Sequence, residues 1–85
     1  MKITLLLFGA FRSFGEQFML SLPENAIVSD MREELLKEIM QLDSNFKKKE
    51  LIESSRFATE TEVLRDDQPL QNEAVIAIIP PVAGG

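Results

Sequence analysis

The residues of this sequence that could take part in chemistry stand at its end, after an apolar run: Pro80, Pro81, Val82, Ala83, Gly84 and Gly85. Proline fixes φ and lacks an N–H, so the two prolines must end a central strand and favour an extended path. Glycine has no Cβ, so the last two residues can pass through a narrow channel. The reactive group is the terminal carboxylate of Gly85. We predict an extended tail, residues 80–85, that is inserted into a site on another protein; the alternative is a frayed terminus.

The rest of the sequence lacks the groups that most enzymes use. It contains no Cys and no His, which excludes disulfides, thiolate nucleophiles, Ser-His-Asp and Cys-His catalysis, and ordinary zinc ligation. It also has no glycine-rich phosphate loop and no twelve-residue calcium loop. We therefore expect a protein that is not an enzyme on its own and that binds no metal and no cofactor.

Length and charge restrict the class of protein further. A chain of 85 residues is expected to form one small domain, and its net charge of −5 opposes binding to nucleic acids and to anionic membranes. The apolar residues 3–11 faintly resemble a signal peptide, but Thr4 interrupts the run, Arg12 closes it and no clear cleavage site follows. No stretch is long enough to span a membrane. We expect a cytoplasmic protein.

Hydrophobic patterns predict the strands. Residues 2–8 and 75–79 are nearly continuous apolar runs, which is typical of central strands that are buried on both faces. Residues 17–22 alternate between apolar and polar, which predicts a half-buried strand antiparallel to the first. Residues 9–15 are predicted to form a turn or short helical loop, and residues 56–61 a weak strand.

One long helix is predicted after Pro23. Ser29 or Asp30 would cap it, and Asp30 with Glu33 has the spacing of a capping box. Six apolar residues then fall on one side of a helical wheel: Met31, Leu35, Leu36, Ile39, Met40 and Leu42. This stripe is predicted to face the core. Residues 46–53 are predicted to form a second, short helix.

The predicted order is strand, strand, helix, short helix, weak strand, strand. Its two most apolar strands are the first and the last. An α+β β-grasp (ubiquitin-like) fold accounts for this order, with a mixed sheet, the first and last strands central and parallel, and one main helix packed across it. The β-grasp domain would cover residues 1–79 and the tail residues 80–85.

With this order in hand, the sequence resembles the small subunit of molybdopterin synthase, the MoaD type. The resemblance covers the whole chain and depends most on residues 6–12 (Leu-Leu-Phe-Gly-Ala-Phe-Arg) and on the ending at residues 78–85 (Ile-Ile-Pro-Pro-Val-Ala-Gly-Gly). The sequence departs from that family before the last strand, where Glu73 and Ala74 replace its usual Gly-Asp pair. The ending also resembles the thiamine-pathway sulfur carrier, which generally lacks the double proline and a segment like residues 46–53 and ranks second.

The resemblance implies a mechanism. An E1-like partner would use ATP to adenylate Gly85, and sulfur from a donor protein would replace AMP to give a thiocarboxylate. The tail would then enter the large subunit of molybdopterin synthase, with which the chain is expected to form a heterotetramer. There it would donate sulfur to cyclic pyranopterin monophosphate for the molybdenum cofactor.

The surface that docks with these partners is predicted to include residues near the tail. The candidates are the exposed face of the sheet and residues near the tail: Phe8, Phe11, Arg12 and Ile78. Two other functions remain open. In one, the chain is a ubiquitin-like modifier whose Gly85 forms an isopeptide bond with a lysine; in the other, it is an interaction module with an idle tail.

Overall fold

A five-stranded mixed sheet with one long helix forms the protein, as seen in a computed structural model that describes residues 1–45 and 49–81. In chain order the elements are β1 (Lys2–Leu7), a 3₁₀ helix (Gly9–Phe14), β2 (Gln17–Ser21), α1 (Val28–Leu42), α2 (Lys49–Ser54), β3 (Arg56–Ala58), β4 (Val63–Leu64) and β5 (Val75–Ile79). The strand order is β2-β1-β5-β3-β4. This is the predicted β-grasp fold.

The two most apolar strands are interior and parallel to each other, as predicted. β1 pairs with β5 in parallel, with Leu7 opposite Ile78, and with β2 in an antiparallel arrangement. β5 pairs on its other side with β3, also antiparallel. Since parallel strands run in the same direction, β1 and β5 end side by side, and the segments that follow them start as neighbours.

The prediction that β1 and β5 are buried on both faces is wrong. In β5, Ile76 and Ile78 are 1% and 0% exposed, whereas Val75 and Ile79 are 54% and 44% exposed. β1 alternates in the same way, with Ile3 and each second residue after it buried. α1 contributes four buried residues to the core on one side of the sheet, and no other described element packs on the opposite side. An apolar run shows that a strand is central, but not how many layers cover it.

The helix begins earlier than predicted. Ile27 is the N-cap and Asp30 is the third helical residue, so neither Ser29 nor Asp30 is the cap. Instead, Oδ2 of Asp30 accepts a hydrogen bond of 2.9 Å from the N–H of Ile27, which is the reverse half of a capping box. Of the six residues in the predicted apolar stripe, Met31, Leu35 and Ile39 are buried and Leu36 is partly buried, so the stripe is confirmed in its first part. Val28, which the prediction did not include, is also buried, whereas Met40 is 38% exposed. Leu42, at the end of the stripe, is 63% exposed.

The remaining elements are short. The predicted second helix is present as α2 over residues 49–54, and residues 46–48 lie outside the described residues. The weak strand is shorter than predicted, and β4, which has only two residues, was not predicted. Neither helix in the described ranges is long and apolar enough to cross a membrane.

Candidate functional site

The predicted tail starts at the end of the central strand β5. Pro80 and Pro81 follow Ile79 directly, Pro80 half-buried and Pro81 exposed. Val82, Ala83, Gly84 and Gly85 lie outside the described residues, so their insertion into a partner and the chemistry at Gly85 stay predictions. The described part of the site is therefore the base of the tail and the surface around it.

The base of the tail contacts the turn that follows β1. Gly9 has a φ of +57°, in the left-handed region that glycine adopts readily. A Cβ placed on Gly9 would lie 2.7 Å from Cγ and 3.6 Å from Cδ of Pro80. The Pro80 ring thus occupies the space that a side chain at position 9 would need.

Next to the tail base lies the open face, which we define as the side of the sheet that α1 leaves uncovered. Side chains alternate along each strand, so every second residue points to this side. Phe8 has an extended backbone and continues the alternation of β1. The residues that point to the open face, by alternation and burial, include Thr4, Leu6, Phe8, Met19, Arg56, Ala58, Val63, Val75, Ala77 and Ile79.

The strands that form the open face carry no acidic residue, although the protein as a whole is acidic. The chain has 14 Asp and Glu residues, and none of them lies in any of the five strands. The strands instead carry Lys2 and Arg56. The side chain of Arg56 makes no hydrogen bond or ion pair with the described residues, and Arg56 stands opposite Ile79, the last residue before the tail. An apolar surface therefore lies beside the tail, together with Arg56, whose side chain has no partner among the described residues.

The middle of the open face is a shallow hollow. Leu6, Ala77 and Ala58 stand in one row across three adjacent strands, because Ala77 is opposite Leu6 on one side and Ala58 on the other. Because two of the three residues in this row are alanines with short side chains, the surface is recessed there. Val75 and Glu60 line the margin of the hollow. The lining is mostly apolar, so the hollow suits an apolar side chain of a partner better than a charged ligand.

The four predicted docking residues divide into two pairs. Phe8 is 42% exposed. Arg12 is also at the surface, where its Nη2 lies 3.9 Å from Oε1 of Glu16. Phe11 and Ile78 are 0% exposed and belong to the core, so their side chains are not available to a partner. Ile78 points inward because it alternates with the outward Ala77 and Ile79, and Phe11 is the buried residue of the 3₁₀ helix.

Sequence reasoning missed the exposed apolar residues Met19, Val63, Val75 and Ile79, and also Arg56. The signal that could have found them is the order of elements, since a single long helix can cover only one face of a five-stranded sheet. In the part of the chain that the structure describes, no three acidic side chains are grouped closely enough to hold a metal ion.

Comparisons with known proteins agree with this architecture. The crystal structure of SAMP1 from Haloferax volcanii superposes with a TM-score of 0.76 over 100% of both chains at 19% sequence identity, which shows a shared fold. No curated protein matches the sequence significantly. In the scan against protein families, residues 5–85 match the ThiS family, whose members are carriers and not enzymes themselves. The chain therefore belongs to the ThiS family of ubiquitin-like sulfur carriers.

Proposed function

We propose that this protein is the sulfur-carrying small subunit of molybdopterin synthase. An E1-like enzyme adenylates the carboxylate of Gly85 with ATP and releases pyrophosphate. The terminal sulfur of a persulfide on a donor protein then attacks the carbonyl carbon, and AMP leaves. A thiol cleaves the S–S bond that remains, which yields the Gly85 thiocarboxylate and a disulfide. The tail next enters the large subunit, where the thiocarboxylate donates its sulfur to cyclic pyranopterin monophosphate.

The observation that carries this proposal is the position of the tail base. The Pro80–Pro81 segment leaves the end of a central strand at the margin of the open face, beside Phe8 and Ile79. Two consecutive prolines restrict the unbound tail, which lowers the entropy lost when it enters a narrow site. Small residues at the tip then allow close backbone approach to two different active sites in turn.

The open face supplies a surface for docking. Both the activating enzyme and the large subunit must hold the domain while the tail is in their sites. An apolar surface next to the tail, on strands that carry no acidic residue, suits both. Association would remove Val75, Ile79 and Phe8 from water, which favours binding. The guanidinium of Arg56, which has no partner in the described part of the chain, would meet an acceptor group on the partner, since leaving it buried without one is costly.

Two features favour the molybdopterin pathway over thiamine synthesis. The first is the double proline, and the second is the extra helical segment, of which α2 (Lys49–Ser54) is the described part. α2 is built into the fold rather than loosely attached, because Ile52 is buried and Nη1 of Arg32 in α1 contacts its last carbonyls. We place the reactions in the cytoplasm, where ATP is available for activation.

Mass spectrometry of the C-terminal tryptic peptide tests the proposal. Cleavage after Arg65 gives Asp66–Gly85, and all four methionines lie outside this peptide, so Met oxidation cannot imitate the exchange of oxygen for sulfur. Protein from a host with the cognate activating enzyme and sulfur donor should carry one sulfur in place of one oxygen at Gly85. The matched control lacks Gly84 and Gly85 and should stay unmodified. An unmodified Gly85 in the loaded host would overturn the proposal.

A reconstituted assay then separates the pathways. The thiocarboxylated protein is mixed with the molybdopterin synthase large subunit and cyclic pyranopterin monophosphate, and in parallel with the thiamine thiazole synthase system. Formation of molybdopterin is expected. Sulfur transfer only into the thiazole would assign the chain to thiamine synthesis, and a ladder of lysine conjugates in the cell would show that it is a protein modifier.

A further inference from the structure

The contact between Gly9 and Pro80 joins the base of the tail to the turn after β1. β1 and β5 are parallel neighbours, and their last cross-strand pair is Leu7 with Ile78. Gly9 is two residues beyond this pair on one strand, and Pro80 is two residues beyond it on the other. The space between them admits no Cβ, because a Cβ on Gly9 would stand only 2.7 Å from Cγ of Pro80.

The two glycines of this region differ in what they require. Gly15, at the other end of the 3₁₀ helix, has a φ of +121°, but a Cβ there would meet no atom within 4 Å. Its backbone conformation alone favours glycine. At Gly9 the conformation disfavours a side chain, and the neighbouring ring leaves no space for one. This difference indicates that the Gly9 position is fitted to Pro80 and not only to a turn.

The turn is held by more contacts than Pro80. The N–H of Phe11 donates to the carbonyl oxygen of Phe8 at 3.1 Å, and the N–H of Leu7 donates to the carbonyl oxygen of Glu16 at 2.9 Å. The Phe11 side chain is fully buried in the core. Pro80, in contrast, has no N–H and stands beyond the last paired residue of β5. A side chain at position 9 would therefore displace Pro80 and leave the turn in place.

Small changes at Pro80 are amplified along the tail. An extended segment of five residues reaches up to about 17 Å, so a rotation of about 20° at its base moves its far end by about 6 Å. A reacting carboxylate must be placed much more accurately than this, since a misplacement of about 1 Å can lower a rate by about a hundredfold.

We propose that Gly9 is a positioning residue for the tail: it leaves the space in which the Pro80 ring packs, and this contact sets the direction in which residues 81–85 leave the domain. Its effect on sulfur loading rests on the proposed function, whereas its effect on tail direction does not.

Distances between spin labels test the geometry without any partner. The chain has no native Cys, so Lys37→Cys on α1 and Ala83→Cys in the tail give a unique pair of labels. In this background Gly9→Ala should shift the mean distance by about 3–4 Å, because position 83 is only three residues beyond Pro80, or broaden the distribution clearly. Gly15→Ala is the control for backbone strain without a clash. Its positive φ strains an alanine there too, but a Cβ would meet no atom within 4 Å, so the distance to the tail should stay unchanged.

A second variant identifies the ring as the cause. Pro80→Ala removes Cγ and Cδ but keeps Cβ, which would be 4.0 Å from a Cβ at position 9, an ordinary contact. Adding Gly9→Ala to Pro80→Ala should therefore cause little further change in the distance distribution. Pro80→Ala alone should broaden the distribution, and this result tests the contact even if Gly9→Ala fails to fold. An unchanged distance in Gly9→Ala, or an equal effect with and without the ring, would overturn the proposal.

Loading of Gly85 gives the functional readout. With the cognate activating enzyme and ATP, Gly9→Ala should lower kcat/KM for adenylation by about tenfold or more, and the double variant should match Pro80→Ala alone. If the unsubstituted protein is never adenylated, the proposed function fails while the distance measurements still decide the role of Gly9. If the unsubstituted protein is adenylated, and Gly9→Ala has the same distance distribution and the same kcat/KM, only the positioning role fails.

Discussion

Arg32 in α1 donates a hydrogen bond of 2.7 Å from Nη1 to the carbonyl oxygen of Ser55, the residue that follows α2. The same nitrogen donates to the carbonyl oxygen of Ile52 at 2.6 Å, and Nη2 donates to Oδ1 of Asp66 at 2.7 Å. The guanidinium also lies 4.8 Å from the ring centre of Phe57 in β3. One mostly buried side chain therefore joins α1, α2, β3 and the loop after β4.

Replacing Arg32 should destabilise the whole domain. We expect Arg32→Met to lower the free energy of unfolding by about 2–3 kcal/mol, because it keeps the apolar stem but leaves partly buried carbonyl oxygens without donors. Arg32→Lys should recover little of the lost stability, since an ammonium group cannot reproduce the planar arrangement of guanidinium donors. Urea denaturation measures both values.

The matched control for Arg32 is Asp66→Asn. The Asp66 side chain is 61% exposed, and exposed ion pairs contribute only about 0–1 kcal/mol. The free energy of unfolding of this variant should therefore lie within about 1 kcal/mol of that of the unsubstituted protein. A loss of the same size in both variants would mean that the ion pair, and not the bonds to the carbonyls, is what Arg32 contributes.

Glu73 occupies a position that favours glycine. Its φ is +65°, and among the described residues other than glycine it alone has a positive φ. Its N–H donates to the carbonyl oxygen of Lys2 at 2.7 Å, which fixes this conformation just before β5. Glu73→Gly should raise the free energy of unfolding by about 0.5–1 kcal/mol, as relief of the left-handed strain exceeds the entropy cost of glycine.

The control at this position removes the carboxylate but keeps the Cβ. Glu73→Ala should therefore show little of the gain. Thermal and urea unfolding of the two variants compare them directly, and an equal gain in both would attribute the effect to charge instead of backbone conformation.

The topology of the sheet could be predicted from the sequence, but whether one or both of its faces are covered could not. The apolar runs of β1 and β5 identified the central strands, and the periodicity of α1 identified the core stripe. The same runs also suggested burial on both faces, because Leu6, Val75 and Ile79 look no different in sequence from residues that a second layer covers. This ambiguity led Ile78, a core residue, to be predicted as a docking residue in place of its neighbour Ile79.

Short elements and local geometry were also beyond the sequence pattern. β4 has only two residues, Val63 and Leu64, so no periodicity could reveal it. The N-cap is Ile27, whose side chain cannot accept a hydrogen bond, and the usual preference for polar caps therefore pointed to the wrong residue. The contact between Gly9 and Pro80 joins positions 71 residues apart, and only the folded chain shows it.

A charge on the open face should weaken docking without unfolding the domain. Val75 is 54% exposed on the central strand, so the fold should tolerate Val75→Glu, which would place a carboxylate in the apolar contact. We expect the KM for the activating enzyme to rise about tenfold or more, because burying an unpaired charge costs at least about 1.4 kcal/mol. ATP–pyrophosphate exchange at varied carrier concentration measures this KM.

The control for Val75 places the same charge elsewhere. Leu42, at the end of α1, is 63% exposed and does not belong to the sheet, so Leu42→Glu should leave the KM unchanged. An equal rise in KM for the two variants would show that net charge opposes association and that the open face has no special part in it.

A methyl group at position 84 should slow loading without affecting the fold. Under the proposed function Gly84 must pass through a narrow channel in the activating enzyme, and Gly84→Ala adds a Cβ there and restricts the backbone. We expect unchanged unfolding in urea, since the residue follows the last strand, and a fall in kcat/KM for adenylation of about tenfold or more. Ala83→Ser is the matched control, because it adds one atom to the neighbouring residue and should load at the normal rate. Equal loading of Gly84→Ala and the unsubstituted protein would show that the channel has room for a side chain, and the need for Gly84 would then have another cause.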